Sequence, residues 1–176
     1  MQHDKGDRRY LLSDKDIRQI FKDQIKIIKY SEIKYYNDIS ELLAPYGRTM
    51  ILIETSPNRG HWVCCFTGVQ KQANKIFYFD SYGVIPDGQL KKIDKVTRHK
   101  LGEGLSDLVP LFHNYDILYN NHQLQSKIPG TATCGKWASC RMLLNNLNSD
   151  QFAKLFLNKK IKPDNIITNI LNYYLQ

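Results

Sequence analysis

Three short apolar segments in the first half of the chain constrain its fold most strongly. They cover residues 49–54, 61–67 and 75–80, and polar turns at 56–60 and 70–74 separate them. Links this short join neighbouring antiparallel strands, so the segments predict a meander. The middle segment is apolar on both faces, and a sheet with such a strand must be covered on both sides. We therefore predict an α+β fold with a central mixed, mostly antiparallel sheet flanked by helices.

Helical periodicity elsewhere in the chain supplies the covering elements. Residues 14–25 read as an amphipathic helix, with Ser13 and Asp16 in a pattern that resembles a capping box. The remaining predicted elements are short helices at 35–43 and 87–95, a strand at 115–119, and helices that begin at Cys134 and cover 150–158 and 163–175. Residues 98–113 give no clear pattern.

Length and composition limit the classes of protein that remain. A chain of 176 residues suits one domain, with residues 1–9 as a flexible tail. It has no apolar run of 18 residues that would predict a membrane span, and its N-terminus does not resemble a signal peptide. We therefore expect use inside a cell, with the four cysteines reduced. No Cys/His spacing indicates zinc, so we predict no metal site.

The chain is basic, with a formal charge of +8. One cluster of basic side chains comprises Lys91, Lys92, Lys95, Arg98 and Lys100. Such a cluster attracts nucleic acid or an acidic protein through its summed field. A solvated face that keeps the protein soluble is the simpler interpretation, because no nucleic-acid-binding motif accompanies the charge.

Cys134 occupies a special position at the start of a predicted helix. It follows the small-residue loop 129–133, and Trp137 and Cys140 continue an apolar stripe at helical spacing. The free N–H groups and partial positive charge of a helix start favour a thiolate over a thiol. Two interpretations fit: a nucleophile, or a small buried hydrophobe of the kind most unpaired cysteines are.

His61 and Asp80 offer the partners that a nucleophilic thiol requires. His61 begins one strand of the predicted hairpin and Asp80 ends the next, so both lie at the same end of the sheet. A histidine that takes a proton from a thiol needs an acceptor to fix its tautomer, and a buried carboxylate serves this purpose. A core histidine and a carboxylate that caps a turn are the simpler interpretations of each residue alone.

Four motifs in chain order resemble a known family. They are Gly60-His61-Trp62, Phe79-Asp80-Ser81-Tyr82-Gly83, Gln123-Leu124-Gln125 and Cys134-Gly135-Lys136-Trp137. This order is similar to that of the adenovirus-protease and deSUMOylase-like cysteine peptidases. It looks most like the capsid-maturation proteases of virophages and Maverick/Polinton-type double-stranded DNA viruses. The resemblance covers about residues 49–147. It implies a papain-like, circularly rearranged fold with the nucleophile at the N-terminus of a core helix.

The resemblance also implies roles for individual residues. Cys134 would be the nucleophile, His61 the general base, and Asp80 the group that orients His61. A Gln side-chain amide and the backbone N–H of Cys134 would form the oxyanion hole. Gln125 is preferred because Gln125-Ser126 resembles the family's Gln-Ser motif, although the family's Gln lies closer to the cysteine. Gln123 stays open, since an alternating strand places it on the same face.

Substrate and partners follow from the same resemblance. It implies an endopeptidase that cleaves capsid or core precursor proteins after glycine-containing motifs during virion maturation. Trp62 would pack beside the catalytic histidine and roof a narrow substrate tunnel, and Gly135 would leave room near the nucleophile. We expect a monomer that needs no cofactor, acts in the host cytoplasm or viral factory and in the virion, and accommodates a DNA or peptide activator.

Three other functions fit parts of the sequence. A protease that removes ubiquitin-like modifiers would use the same centre on a different substrate. An acetyltransferase would use the Cys/His pair to carry an acyl group and would require acetyl-CoA. A non-enzymatic virion protein would bind DNA through the basic cluster and bury Cys134 in its core.

Overall fold

The computed structural model describes residues 6–68, 74–157 and 159–176, and within them five strands form a single sheet. The strands are β1 (Lys26–Lys29), β2 (Arg48–Ser56), β3 (Arg59–Phe66), β4 (Lys75–Phe79) and β5 (Asp116–Tyr119), and they lie in this order across the sheet. The pairs β2–β3 and β3–β4 are antiparallel, whereas β1 and β5 run parallel to their neighbours at the edges. The predicted meander and mixed sheet are therefore confirmed. Most of the predicted turn at 70–74 lies outside the described residues.

Helices surround this sheet, as the apolar strands require. They are α1 (Asp14–Phe21), α2 (Ile39–Leu43), α3 (Lys95–Leu101), α4 (Cys134–Leu143), α5 (Ser149–Lys154) and α6 (Pro163–Leu175), with 3₁₀ turns at Tyr30–Tyr35, Gly88–Lys92 and Val109–Phe112. The helix predicted at 163–175 has the predicted bounds. No helix in the described part of the chain has the length and hydropathy needed to cross a bilayer.

The predicted helix at 14–25 is too long. Its capping box at Ser13 forms as predicted, but α1 ends at Phe21 because Lys22 adopts a left-handed conformation with φ 50°. The chain then turns and enters β1, which pairs with β2 over only four residues. Two isoleucines between two lysines give too short a pattern to predict a strand, so β1 was missed.

The basic segment around residue 94 is divided between two elements. A helix predicted over 87–95 is observed as the 3₁₀ turn at 88–92 followed by α3, which begins after Asp94. The Asp94 side chain accepts a hydrogen bond from the backbone N–H of Thr97 and caps α3. This cap explains why the helix starts here and extends into the region whose pattern was unclear.

Two separate apolar cores lie on the two faces of the sheet. On one face, α1, α4 and α6 cover Met50, Trp62 and Cys64. On the other face, α2 and the 3₁₀ turns cover Val63 and Cys65. Neighbouring strand residues point to opposite faces, which places the adjacent cysteines in different cores. This arrangement brings the N-terminus of α4 to the sheet end where His61 and Asp80 lie.

Candidate active site

His61 and Asp80 are in direct contact at the end of the sheet. Cys64 of β3 pairs with Phe79 of β4, so Asp80 follows immediately after the paired region, near the start of β3. His61 Nε2 lies 3.0 Å from Asp80 Oδ1. The juxtaposition predicted from the hairpin is therefore confirmed.

Hydrogen bonds from the following loop fix the Asp80 carboxylate, which is fully buried. Oδ1 also accepts from the backbone N–H of Tyr82 at 2.7 Å, and Oδ2 accepts from Gln89 Nε2 at 2.7 Å. Three N–H donors thus hold a buried carboxylate in one orientation. The sequence did not identify Gln89, because a single glutamine in a short 3₁₀ turn carries no pattern.

The imidazole ring of His61 is confined by its neighbours and by the chain before it. Its side chain is 13% exposed, and the ring stacks on that of Tyr82 with centroids 5.0 Å apart. A side chain at Gly60 would place its Cβ 1.8 Å from the carbonyl oxygen of Ile53. Glycine is therefore required directly before the histidine, since any Cβ there would push β3 away from β2.

The ionic environment favours a charged His61. Burial opposes the charge, but hydrogen bonds to Asp80 and to Cys134 outweigh it and raise the pKa of His61 to about 10. Asp80 occupies Nε2, so Nδ1 is the ring nitrogen left for the sulfur of Cys134. The structure therefore aligns carboxylate, imidazole and thiol in the order predicted, with an imidazolium favoured at neutral pH.

Cys134 is the first residue of α4 and is 4% exposed. The residue before it, Thr133, makes no side-chain cap to the helix. Its hydroxyl is turned away and donates to Asp164 Oδ1 at 2.5 Å. The sulfur thus lies at an N-terminus whose first N–H groups are not capped by the preceding hydroxyl, where an anion is stabilised.

Trp62 and Gly135 form a tight contact behind the cysteine. A Cβ on Gly135 would lie 3.0 Å from Cδ1 of Trp62 and 3.2 Å from Cβ of Leu12. Trp62 is 3% exposed, and its indole N–H donates to the carbonyl of Leu12 at 3.2 Å. Trp62 and Leu12 therefore occupy the space that a side chain at Gly135 would need. Its absence lets α4 approach β3 closely.

Of the two candidate glutamines, Gln125 is the one built into the site. It is 2% exposed, and its Oε1 accepts from the hydroxyl of Ser81 at 2.7 Å. Its amide Nε2 consequently points towards the loop before Cys134, where it lies 3.5 Å from the carbonyl oxygen of Thr131. Gln123 is exposed and donates to the backbone of Gln125 at 3.2 Å. Ser81 is a further site residue that sequence reasoning missed.

The later part of the predicted tail, from residue 6 onward, reaches this region. Residues 1–5 lie outside the described residues, whereas the carbonyl of Asp7 accepts from Lys136 Nζ at 2.8 Å. The carbonyl of Arg8 accepts from the backbone N–H of Ala132 at 2.9 Å. The chain before α1 therefore packs against the loop and helix that carry Cys134.

The other cysteines have different surroundings. Cys64, Cys65 and Cys140 are buried, and burial raises the pKa of all three thiols, that of Cys140 to about 12. All four cysteines are free. Within the described residues, no three His, Cys, Asp or Glu side chains are grouped so that they could hold a metal ion.

Comparisons with known proteins show which structures and sequences this chain resembles. No protein-family model matches the chain. Over 98% of its length it superposes on the crystal structure of ASFV pS273R protease, with a TM-score of 0.56 and 14% identity, covering 69% of that chain. A selenomethionine crystal structure of the same protease gives a TM-score of 0.56 at 15% identity, covering 70%. The predicted fold is thus confirmed.

A relative from a virophage shares much more sequence. "Uncharacterized protein V9" of Sputnik virophage is 32% identical over 165 residues, which cover 90% of this chain and 93% of that protein. The predicted relationship to virophage proteins is confirmed by this match. The chain therefore belongs to the same protein family as Sputnik virophage V9.

Proposed function

We propose that the protein is a cysteine endopeptidase in which Cys134 is the nucleophile. The observation that carries the proposal is the line from Asp80 through His61 to Cys134 at the start of α4. A general base within reach of a thiol, itself oriented by a third group, is the arrangement that nucleophilic catalysis requires. The fold shared with a viral protease supports the same reaction.

The reaction begins with attack of the Cys134 sulfur on the carbonyl carbon of the scissile peptide bond. The imidazolium of His61 stabilises the thiolate and then gives its proton to the nitrogen of the leaving amine. That nitrogen departs as the C–N bond breaks, leaving an acyl-enzyme thioester. His61 then removes a proton from a water molecule that attacks the thioester. The C–S bond breaks, which releases the acid product and restores the Cys134 thiolate beside the imidazolium. Asp80 holds the ring throughout.

The carbonyl oxygen becomes negatively charged in the tetrahedral intermediate and needs donors. The backbone N–H of Cys134 and the amide of Gln125 are the donors we assign to it. Ser81 holds Oε1 of Gln125, so the amide N–H₂ is the end directed towards the loop that carries the cysteine. Loss of one such donor typically slows a reaction by about 10²–10³.

We propose that the scissile bond follows a glycine. Cys134 is only 4% exposed and His61 carries the ring of Tyr82 against it, so a substrate backbone must approach through a narrow opening. Glycine fits such an opening because it has no side chain.

Capsid or core precursor proteins are the substrate class we propose, cleaved during virion maturation in the viral factory or the virion. Support comes from the relationship to a virophage protein and from the fold shared with the protease of another virus. A protease for ubiquitin-like modifiers would instead require a folded modifier as its substrate.

A panel of substrates tests the function. The purified chain is incubated with peptides that contain Gly-Gly or Gly-X-Gly, with matched peptides carrying alanine at the glycines, and with ubiquitin-like fusions. We expect cleavage after glycine in the first set alone, and none with Cys134→Ala. Cleavage restricted to the fusions would indicate a deconjugating protease. Acyl transfer that requires acetyl-CoA, without cleavage of any peptide, would contradict the endopeptidase.

DNA is the partner we propose for the basic cluster defined above. Its four lysines are exposed, and Arg98 is half-buried beside the carbonyl of Ile93. Binding through phosphate contacts weakens steeply as salt rises. We expect double-stranded DNA to bind at low salt, with a shallower salt dependence in a Lys91→Ala, Lys92→Ala, Lys95→Ala variant. No binding at low salt would refute the proposal.

A further inference from the structure

Asp164 joins two segments of the candidate site that are far apart in sequence. It is the second residue of α6, is 5% exposed and lies behind the start of α4. Oδ1 accepts from the hydroxyl of Thr133 at 2.5 Å and from the indole N–H of Trp137 at 2.9 Å. Oδ2 accepts from the backbone N–H of Ser126 at 2.8 Å.

Two of these three donors flank the groups assigned to the oxyanion hole. Thr133 directly precedes Cys134, whose backbone N–H is one donor, and Ser126 directly follows Gln125, whose amide is the other. A single carboxylate therefore bridges the helix start and the glutamine segment. A buried carboxylate with three hydrogen bonds is held firmly, because breaking any of them leaves charge without compensation.

We propose that Asp164 is a positioning residue that fixes the distance between the Gln125 amide and the Cys134 backbone N–H. The inference rests on the proposed endopeptidase function and adds a residue to it. Asp164 does not touch the reacting atoms. It acts through Thr133 and Ser126, and its loss lets the two donors separate. A displacement of about 1 Å at such a site costs on the order of 10²-fold in rate.

The role predicts a specific pattern of kinetic effects. Alkylation of a thiolate by iodoacetamide forms no oxyanion, so it reports on Cys134 and His61 alone. Peptide cleavage requires the oxyanion hole as well. Loss of the Asp164 contacts should therefore lower kcat and leave the alkylation rate of Cys134 nearly unchanged. A merely structural role would reduce both, together with the thermal midpoint.

The experiment compares Asp164→Asn with Asp94→Asn, which makes the same chemical change at the exposed cap of α3. Thr133→Val and Thr133→Ser form a second pair that decides the question if Asp164→Asn fails to fold. We expect kcat for a glycine-containing peptide to fall about 10- to 100-fold in Asp164→Asn and Thr133→Val, with KM little changed. Asp94→Asn and Thr133→Ser should retain wild-type kcat.

Two results would overturn the role of Asp164. One is a folded Asp164→Asn or Thr133→Val enzyme with wild-type kcat. The other is a parallel fall in kcat and in the alkylation rate of Cys134, which would mean that the whole site is disturbed. Failure of the proposed function itself looks different, because the wild-type protein would then cleave no peptide.

Discussion

Two cysteines on the same helix have nearly equal exposure but different neighbours. Cys134 begins α4 and Cys140 follows six residues later, and the two are almost equally buried, at 4% and 2% exposed. Around Cys140, burial raises the thiol pKa to about 12, and the charge of Arg141 offsets this only in part. Cys134 instead lies at the helix start and forms a hydrogen bond with His61. The two thiols therefore differ in their neighbouring groups and not in their solvent exposure.

Removal of each sulfur should give the largest contrast. Cys134→Ala should reduce peptide cleavage by about 10⁴-fold or more, because no other group forms the acyl-enzyme. Cys140→Ala should leave kcat unchanged, since that thiol only fills space in the core. Cleavage rates at saturating peptide, with circular dichroism to verify folding, provide the measurement. An active Cys134→Ala enzyme would exclude the assigned nucleophile.

The loss of kcat should be greater on removal of His61, which contacts Cys134, than on removal of Asp80, which contacts His61. His61→Ala should lower kcat nearly as much as loss of the sulfur, whereas Asp80→Ala should cost about 10- to 100-fold less, because it orients the ring without transferring the proton. Both variants are compared at the same pH. A greater loss in Asp80→Ala than in His61→Ala would contradict these roles.

The charge on His61 should appear in the pH dependence of stability. Its pKa is raised from 6.5 to about 10 in the folded protein, so folding binds a proton in this range. The contribution of His61 to the free energy of unfolding is full below pH 6.5 and is lost as the pH rises towards 10. Urea unfolding of wild type and His61→Ala between pH 6 and 10 measures it as a difference. A contribution that grows with pH would contradict the imidazolium.

Removing the hydrogen bond that holds the Gln125 side chain should have the smallest effect on kcat. Ser81→Ala removes the hydroxyl that holds Oε1 of Gln125, while Leu124 and Gln125 keep their backbone bonds to the Ser81 carbonyl. We expect kcat to fall by less than the roughly 10²–10³ that loss of an oxyanion donor costs, and Gln125→Ala to show that full loss. Gln123→Ala is the matched control and should be neutral. If Gln123→Ala alone lowered kcat, the other glutamine would be the donor.

The hairpin part of the site was predictable because its geometry is local. The strand pattern around His61 and Asp80 sets both residues at one sheet end, and the start of α4 is visible from the periodicity after Cys134. Gln89 and Asp164 were not predictable as site residues, since their partners are distant or lie in irregular segments. A glutamine in a 3₁₀ turn and an aspartate in the first turn of a helix look like ordinary surface residues in sequence.

The edges of the sheet show the same limit. β1 pairs parallel to β2, and its partner lies beyond a 3₁₀ turn and α2, so no turn motif marks the pairing. The structural requirement for glycine at position 135 was also not visible in the sequence. Gly135 was expected to leave room near the nucleophile, whereas Trp62 and Leu12 occupy the space beside it.

Site-resolved alkylation tests the central claim most directly. The folded protein is treated with iodoacetamide at pH 7, and the modified cysteines are located by mass spectrometry over time. We predict that Cys134 is modified first, that this reactivity is lost in His61→Ala, and that Cys64, Cys65 and Cys140 react only after unfolding. A folded protein in which Cys134 reacts no faster than Cys140 would contradict the paired thiolate and imidazolium.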